Sequence, residues 1–149
     1  MSERAGVTRW DSRFLALAQH VAGWSKDPST QTGAVIVKGR RVVSLGYNGL
    51  PRGVADTPER LNDRELKYRI IVHCERNALL FAREDLAGAT LYTWPFMSCP
   101  TCAAMVIQAG IVRHVAPVCP PDKAERWAQE FRLTRELFAE AGVTVIEYE

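Results

Sequence analysis

The stretch HCERNALL, residues 73–80, sets a histidine and a glutamate two positions apart, directly before an apolar run. A second stretch, SCPTCAAMVIQAGI at 98–111, sets two cysteines three positions apart before another apolar run. Both runs are long enough for helices, and Gly110 ends the second one. Because the polar residues of each stretch lie where a helix begins, these two helix starts decide the fold and point to its chemistry.

The flanking segments predict strands and helices that alternate. About five turns of helix at 121–141 separate the last two predicted strands, a connection that suits a parallel pair. The sequence predicts an α/β protein of three layers, with a mixed sheet of five strands and a single domain over residues 1–149. The predicted elements are a helix at 12–24 capped by Asp11 or Ser12, a hairpin of strands at 33–39 and 40–47, a long loop at 48–65, an extended segment at 68–72, helices at 74–84 and 100–109, strands at 89–94 and 111–118, a helix at 121–141 and a strand at 143–148.

The composition excludes several classes of protein. A hydrophobic content of 47% and a charged content of 24% are ordinary for a soluble domain. The 19 basic and 17 acidic residues give a net charge of +2, which argues against a nucleic-acid partner. No stretch approaches the length of a membrane span, and the first residues lack an apolar signal core. We therefore expect a cytoplasmic protein with no membrane partner.

Three residues of the two stretches form a typical set of zinc ligands. His73 offers an imidazole, and Cys99 and Cys102 offer two thiols. If the two helices are neighbours on the sheet, their N-termini converge, and the helix dipoles help to hold the cysteines as thiolates. Structural zinc normally takes four protein ligands, whereas catalytic zinc takes three and leaves a position for water. With no motif for a fourth ligand, the sequence predicts one catalytic zinc ion per chain.

Glu75 indicates that this predicted zinc site is catalytic. Alone, a glutamate in the first turn of a helix is explained by the helix dipole. Beside a zinc with three ligands, the carboxylate can take a proton from bound water, whose pKa the metal lowers to roughly 7, and deliver it to the substrate. We expect Glu75 to be the catalytic proton shuttle.

The motif H-x-E followed by C-x-x-C is the signature of zinc deaminases. Beyond it, the sequence resembles the deoxycytidylate (dCMP) deaminase family from about residue 12 to the end of the chain. The resemblance implies a cytidine deaminase-like fold and a hydrolase that converts dCMP, or a closely related cytosine nucleotide, to dUMP and ammonia. It is carried by WSKDPSTQTGAVIV (24–37), LGYNGLPRGVAD (45–56), LKYRIIVHCERNAL (66–79) and CPTCAAMVIQAGI (99–111).

The same resemblance implies contacts to the sugar and the phosphate. Asn48 of the GYNG segment would bind the sugar hydroxyl. The loop that begins with Ser25 and Lys26 would lie close to the phosphate, where Lys26 contributes charge and the hydroxyls donate hydrogen bonds.

Four more residues would contact the base or support it. The backbone N–H of Cys74 would donate a hydrogen bond to the pyrimidine, and Asn77 matches the family pattern. Trp94 and Phe96, in the segment TWPFMSC, would border the base.

The resemblance further implies the mechanism and the partners. Zinc-bound hydroxide would attack C4 of the cytosine, and Glu75 would move the proton to N3 and then to the departing amine. Many family members respond to dCTP and dTTP, so triphosphate effectors with Mg²⁺ are expected. A homo-oligomer is the expected assembly, because family members form dimers or hexamers.

The sequence departs from the family pattern beside the predicted site. Cys74 stands where alanine is common, and Ser98 replaces the proline that usually precedes the first ligand cysteine. A 5-substituted cytosine or another pyrimidine nucleotide therefore stays open as the substrate. Three alternatives also stay open: a tRNA adenosine deaminase, another nucleoside or base deaminase, and a non-catalytic nucleotide-binding sensor.

Overall fold

The structure, a computed structural model, describes residues 8–149. Helices and strands alternate through most of this part of the chain. Their bounds are α1 Arg9–Ala22, β1 Gly33–Lys38, β2 Arg41–Tyr47, α2 Pro58–Asn62, α3 Arg64–Ile70, α4 Cys74–Phe81, β3 Thr90–Trp94, α5 Pro100–Gln108, β4 Arg113–Pro117, α6 Pro121–Ala141 and β5 Thr144–Tyr148.

The five strands form one mixed sheet in the order β2-β1-β3-β4-β5. β1 pairs antiparallel with both β2 and β3, so the predicted hairpin is confirmed. β3 pairs parallel with β4, and β4 pairs parallel with β5. The predicted parallel arrangement of the last two strands is therefore correct, because α6 is long enough to return the chain to the same end of the sheet.

Helices cover both faces of this sheet. Successive side chains of a strand point to opposite faces, and Ala34 and Ile36 of β1 pack in a core with residues of α4, α5 and α6. Val35 and Val37 point the other way and pack with Phe14 of α1. The three-layer α/β/α arrangement is thus confirmed.

Two regions differ from the sequence-based prediction. α1 begins earlier than expected, because Thr8 is its N-cap and Asp11, predicted as a cap, instead completes a reciprocal capping box with Thr8. The predicted long loop at 48–65 contains α2, and the segment 68–72, predicted to be extended, lies largely within α3. Thr57 and Asp63 cap these two short helices through their side chains. Their length of 5 and 7 residues left no helical period that could be recognised.

Gly46 allows the start of α4 to lie directly against β2. A Cβ atom at this position would lie 2.6 Å from the backbone N of Ala78 and 2.6 Å from the backbone O of Cys74. A larger residue would push the helix away from the sheet. The glycine therefore sets how closely the start of α4, which carries His73 and Glu75, packs against β2.

Among residues 8–149, the helices are too short or too polar for any of them to cross a membrane.

Candidate active site

The two motif stretches meet at one end of the molecule, as predicted. His73 is the N-cap residue of α4, and Cys99 is the N-cap residue of α5. Both have extended backbone conformations, and neither side chain forms a capping hydrogen bond to its own helix. Each side chain is therefore free to point across the gap between the two helix starts, where Cys102 joins them from the first turn of α5.

These three side chains form a compact group that suits a metal ion. Nδ1 of His73 lies 3.6 Å from Sγ of Cys99 and 3.2 Å from Sγ of Cys102. All three ligand atoms lie within 4.8 Å of one another. Zinc bonds of roughly 2.1 Å to nitrogen and 2.3 Å to sulfur, at tetrahedral angles, place two ligand atoms about 3.6 Å apart. One imidazole and two thiols at this spacing fit zinc, with room for a fourth ligand.

The protonation of the cysteines also suits a metal. The hydrogen bond from the Cys102 thiol, together with that from His73, lowers the pKa of Cys99 to about 4, against the opposing effect of burial. One sulfur of the pair is therefore a thiolate at neutral pH. Thiolate is the form in which cysteine binds metals.

Glu75 lies beside this group and is only 6% exposed. Burial alone would raise the pKa of its carboxyl group. Hydrogen-bonding effects of Ser98 and Cys74, and the positive charge that His73 can carry, outweigh burial and lower the pKa below its ordinary value. The carboxylate is therefore ionised at neutral pH and can accept a proton.

The loop that delivers Cys99 is held by buried polar contacts. Nε2 of His114 accepts a hydrogen bond from the backbone N–H of Ser98 at 3.2 Å, so Nδ1 carries the ring proton and donates to the carbonyl of Leu91, also at 3.2 Å. Burial lowers the pKa of His114, which keeps the ring neutral as this arrangement requires. From α6, the hydroxyl of Thr134 donates to the carbonyl of Ser98 at 2.9 Å.

A cavity of about 150 Å³ opens onto the metal-ligand group and Glu75. One wall is polar and comes from the loop after α1 and from α3, whereas the other is apolar and comes from the loop before α5 and from α6. The lining residues are Asp27, Ser29, Thr30, Thr32, Asn48, Lys67, Tyr68, Ile71, His73, Cys74, Glu75, Phe96, Met97, Cys99, Trp127 and Phe131.

Asn48, predicted to bind the sugar, does line the cavity. Its side-chain oxygen accepts the N–H of Thr32 at 2.9 Å, and its amide nitrogen donates to the carbonyl of Thr30 at 2.9 Å. Ser25 donates to the carbonyl of Asn48 at 2.9 Å and accepts the N–H of Asp27. In the structure these two residues fix the loop 25–32 around the cavity, and Ser25 itself does not line it.

Only some of the other residues predicted to contact the substrate line the cavity in the structure. Cys74 and Phe96 line the cavity, whereas Lys26, Asn77 and Trp94 do not. Lys26 is exposed and forms an ion pair with Asp56 at 2.9 Å. The amide of Asn77 donates to the carbonyl of Tyr47 at 2.8 Å, and Trp94 packs against the core beside α1.

Two lysines near the cavity were not predicted from the sequence. Lys67 of α3 is 5% exposed, lines the cavity, and pairs with Asp27 at 2.9 Å. Lys123 of α6 donates to the hydroxyl of Thr30 at 2.9 Å. Both were overlooked because their partners are distant in the sequence, 40 positions away for Lys67 and 93 for Lys123.

Trp127 and Phe131 of α6, which line the apolar wall, were also missed as site residues. Their spacing of four positions indicates one face of a helix, a pattern that by itself does not distinguish a packed face from the wall of a site. In the structure this face both packs, through the contact of Phe131 with Phe96, and closes the cavity.

The fold and the ligand group together define a class, that of the deaminases with a zinc-binding centre. A family model described as the cytidine and deoxycytidylate deaminase zinc-binding region matches residues 8–117. The chain belongs to this family, and it is a hydrolytic deaminase that acts on a C–N bond. The predicted family is thus confirmed, and zinc is the metal for which this family's region is named.

Similar proteins agree with this assignment. An uncharacterised deaminase of Aliivibrio fischeri is 44% identical over 139 residues, which are 93% of each chain. The deoxycytidylate deaminase of Mus musculus is 37% identical over 95% of this chain and 81% of its own. The crystal structure of a dCMP deaminase from cyanophage S-TIM5, in complex with dCMP and dUMP, superposes with a TM-score of 0.71 and 20% identity, over 91% of this chain and 94% of that one. At 20% sequence identity, this superposition shows that the two proteins share a fold.

Proposed function

We propose that this protein is a zinc-dependent dCMP deaminase, which hydrolyses dCMP, or a closely related cytosine nucleotide, to dUMP and ammonia. The observation that carries the proposal is the distribution of charge around the cavity. His73, Cys99 and Glu75 line the cavity together with Ser29, Thr30 and Lys67, and Lys123 donates to the hydroxyl of Thr30 at 2.9 Å. Such a site can hydrolyse the amine of a base beside Glu75 and bind a phosphate beside the lysines and hydroxyls.

The metal centre would be formed by His73, Cys99 and Cys102, the group whose spacing fits zinc. When bound, zinc lowers the pKa of a coordinated water to about 7 and so makes a nucleophile available at neutral pH. The three residues would hold the ion beside Glu75, where the cavity is lined by His73 and Cys99. Their number leaves one position for water, as in catalytic rather than structural zinc sites.

Glu75 would carry the protons of the reaction. Its ionised carboxylate takes a proton from the attacking water and delivers it to N3 of the cytosine as the C4–O bond forms. The proton of the new hydroxyl at C4 then passes through Glu75 to the exocyclic amine, the C4–N bond breaks as the C4=O bond forms, and ammonia leaves with uracil as the product. The first turn of α4 would support this step, since the first N–H groups of a helix have no partner within the helix and Cys74 of that turn lines the cavity.

The lysines near the cavity would select a nucleotide over a nucleoside. Charge-assisted hydrogen bonds from lysine and hydroxyl groups are the usual means of binding phosphate. Lys123 already donates to Thr30, and Lys67 is held in place by its ion pair with Asp27. The apolar wall of Phe96, with the α6 side chains, would lie along the base. We propose that Asn48 shapes the sugar site between the base and the phosphate.

Further parts of the proposal rest on the family. We propose that residues 1–149 act as one deaminase domain in the cytoplasm, that dCTP and dTTP with Mg²⁺ are effectors, and that the active form is a homo-oligomer. An effector that favours one state of an oligomer changes the shape of the saturation curve. A sigmoidal dCMP curve that becomes hyperbolic with dCTP would support regulation, and a curve unchanged by either triphosphate would contradict it.

The test is ammonia release by the zinc-loaded protein from dCMP, CMP, deoxycytidine, 5-methyl-dCMP and a tRNA anticodon stem-loop. We expect dCMP to give the highest kcat/KM, with deoxycytidine well below it because it lacks the phosphate. A higher rate with the 5-methyl nucleotide would mean that 5-methylcytosine is the preferred base, and the proposed phosphate site would stand unchanged. Activity on the stem-loop alone would contradict the proposal.

A further inference from the structure

The short segment 95–98 joins β3 to α5 and ends directly before Cys99, the N-cap residue of α5. Ser98 is buried, and it precedes the N-cap, so the hydrogen-bond ladder of α5 does not include its backbone N–H and C=O. Buried backbone groups of this kind take their hydrogen bonds from other parts of a protein. Here two side chains from distant elements supply them.

His114 of β4 and Thr134 of α6 each bond one of these backbone groups. Nε2 of His114 accepts the N–H of Ser98 at 3.2 Å, and the hydroxyl of Thr134 donates to the C=O of Ser98 at 2.9 Å. Nδ1 of His114 donates to the carbonyl of Leu91 in β3 at 3.2 Å, which fixes the orientation of the ring. The peptide groups on both sides of Ser98 are therefore held from the sheet and from α6 at once.

Both side chains are 0% exposed, and polar groups so deeply buried are unfavourable unless their hydrogen bonds are made. The ring of His114 packs against Phe138 of the apolar core, with ring centroids 5.4 Å apart. An apolar side chain could fill this space equally well, but it could not bond the peptide. The two polar side chains are thus directed at the residue that immediately precedes a metal ligand, and any shift of that residue moves Sγ of Cys99.

We propose that His114 and Thr134 are positioning residues of the metal centre, which hold the peptide groups of Ser98 so that Cys99 stays in place to bind an ion together with His73 and Cys102. Contacts behind the ligands of a metal site typically change its metal affinity by roughly 10- to 100-fold. The inference rests on the proposed function only in the metal centre, and it is independent of the substrate.

The test measures zinc affinity of the full chain by competition with a chromophoric chelator, starting from the holoenzyme. Thr134→Val keeps the shape of the side chain and removes its hydroxyl, whereas Thr134→Ser keeps the hydroxyl. We expect Thr134→Val to bind zinc at least about tenfold more weakly than the wild type, and Thr134→Ser to recover most of that loss.

Two variants of His114 separate the two hydrogen bonds of its ring. The amide of glutamine reaches about as far as Nε2 and can accept from the N–H of Ser98, whereas the shorter amide of asparagine reaches only as far as Nδ1 and can bond Leu91 alone. We expect His114→Asn to lose roughly 10- to 100-fold in zinc affinity and His114→Gln to lose much less. If His114→Asn does not fold, the two Thr134 variants decide the question.

Tyr92→Phe is the matched control, because Tyr92 is also buried and its hydroxyl donates to Oδ1 of Asp11 at 2.6 Å, in the core on the other face of the sheet. It should lower the free energy of unfolding in urea and leave zinc affinity unchanged. Unchanged zinc affinity in both Thr134→Val and His114→Asn, or an equal loss in Tyr92→Phe, would overturn the inference.

Cobalt(II) in place of zinc gives a second readout that needs no substrate, because thiolate-bound cobalt absorbs light according to its ligands and geometry. We expect an altered spectrum in Thr134→Val and the wild-type spectrum in Tyr92→Phe, and identical spectra in all variants would overturn the inference. A wild type that binds neither metal would overturn both the inference and the proposed metal centre. Zinc binding without turnover of dCMP would contradict the proposed substrate, and the zinc affinities would still decide the inference.

Discussion

At the scale of single residues, the metal-ligand group, Glu75 and the loop that begins with Ser25 could be predicted, whereas the lysines beside that loop could not. His73, Glu75, Cys99 and Cys102 lie in two short motifs, so their spacing along the chain indicates their chemistry directly. Lys67 lies close to its partner Asp27 only after folding, since these residues are 40 positions apart. Ion pairs of this kind leave no local pattern in one sequence.

Glu75→Gln keeps the shape of the side chain and removes its ability to accept a proton. Loss of a general acid–base group costs roughly 10² to 10⁴ in rate, so kcat should fall by at least about a hundredfold. Zinc content, measured by atomic emission, should stay at one ion per chain because Glu75 is not one of the three ligand residues. A variant that keeps more than a tenth of wild-type kcat would contradict the role of Glu75 as proton shuttle.

Lys123→Ala removes the cation that α6 places on the hydroxyl of Thr30. We expect KM for dCMP to rise about tenfold, as for loss of one charged hydrogen bond, and KM for deoxycytidine to stay unchanged. Lys38→Ala is the control, because that lysine donates to the carbonyl of Asp85 and does not line the cavity. Equal effects on both substrates would show that Lys123 does not contact the phosphate.

At the scale of elements, the strongly patterned segments were predicted and the short capped helices were not. The strands were recognisable by their β-branched runs, and α6 by its length. α2 and α3 are stabilised by the caps Thr57 and Asp63 and by tertiary contacts rather than by a hydrophobic period. α1 also began earlier than predicted, because the capping box of Thr8 extends it by one turn.

Gly46→Ala tests the close approach of α4 to β2. With backbone atoms 2.6 Å from the new Cβ, the helix start must shift, which costs about 1–3 kcal/mol in the free energy of unfolding. Because that start carries His73, we also expect weaker zinc binding in a chelator titration. Gly49→Ala meets no atom within 4 Å and should leave both quantities unchanged. Equal behaviour of the two variants would contradict the account of this contact.

Asp11 of α1 and Arg113 of β4 form an ion pair at the far side of the sheet, with atoms 2.6 Å apart. Burial opposes ionisation of Asp11, but hydrogen bonds from Arg113 and Tyr92 outweigh it and lower the pKa of the carboxyl group. A carboxyl group with a lowered pKa in the folded state adds stability above its unfolded pKa, near 3.8, which is lost as the pH falls through the folded value.

Asp11→Asn should therefore lower the free energy of unfolding by about 2 kcal/mol at pH 7, since it removes the charge that the two hydrogen bonds from Arg113 stabilise in a partly exposed pair. In urea unfolding, the difference from the wild type should shrink below about pH 4. Glu147→Gln, which removes the more exposed pair with Arg135, should cost less than about 1 kcal/mol. A difference for Asp11→Asn that does not depend on pH would contradict the assigned pKa shift.

At the scale of the whole molecule, the alternation of strands and helices sufficed to predict three layers and a mixed sheet. The order of the strands brings the starts of α4 and α5 together, because both helices lie on the same face beside neighbouring strands. The cavity, in contrast, depends on α3 and on the side chains of α6, which close it from both sides. Because elements distant in the sequence close the cavity together, no single segment of the sequence predicts it.

The central claim is that this assembly hydrolyses the amine of a cytosine nucleotide. The most direct test incubates the zinc-loaded protein with dCMP in ¹⁸O-labelled water and measures ammonia and the mass of the nucleotide product. We predict one ammonia for each dUMP, one ¹⁸O in each uracil ring, and no product after zinc is removed by a chelator. Unchanged dCMP, or dUMP without the label, would contradict the account.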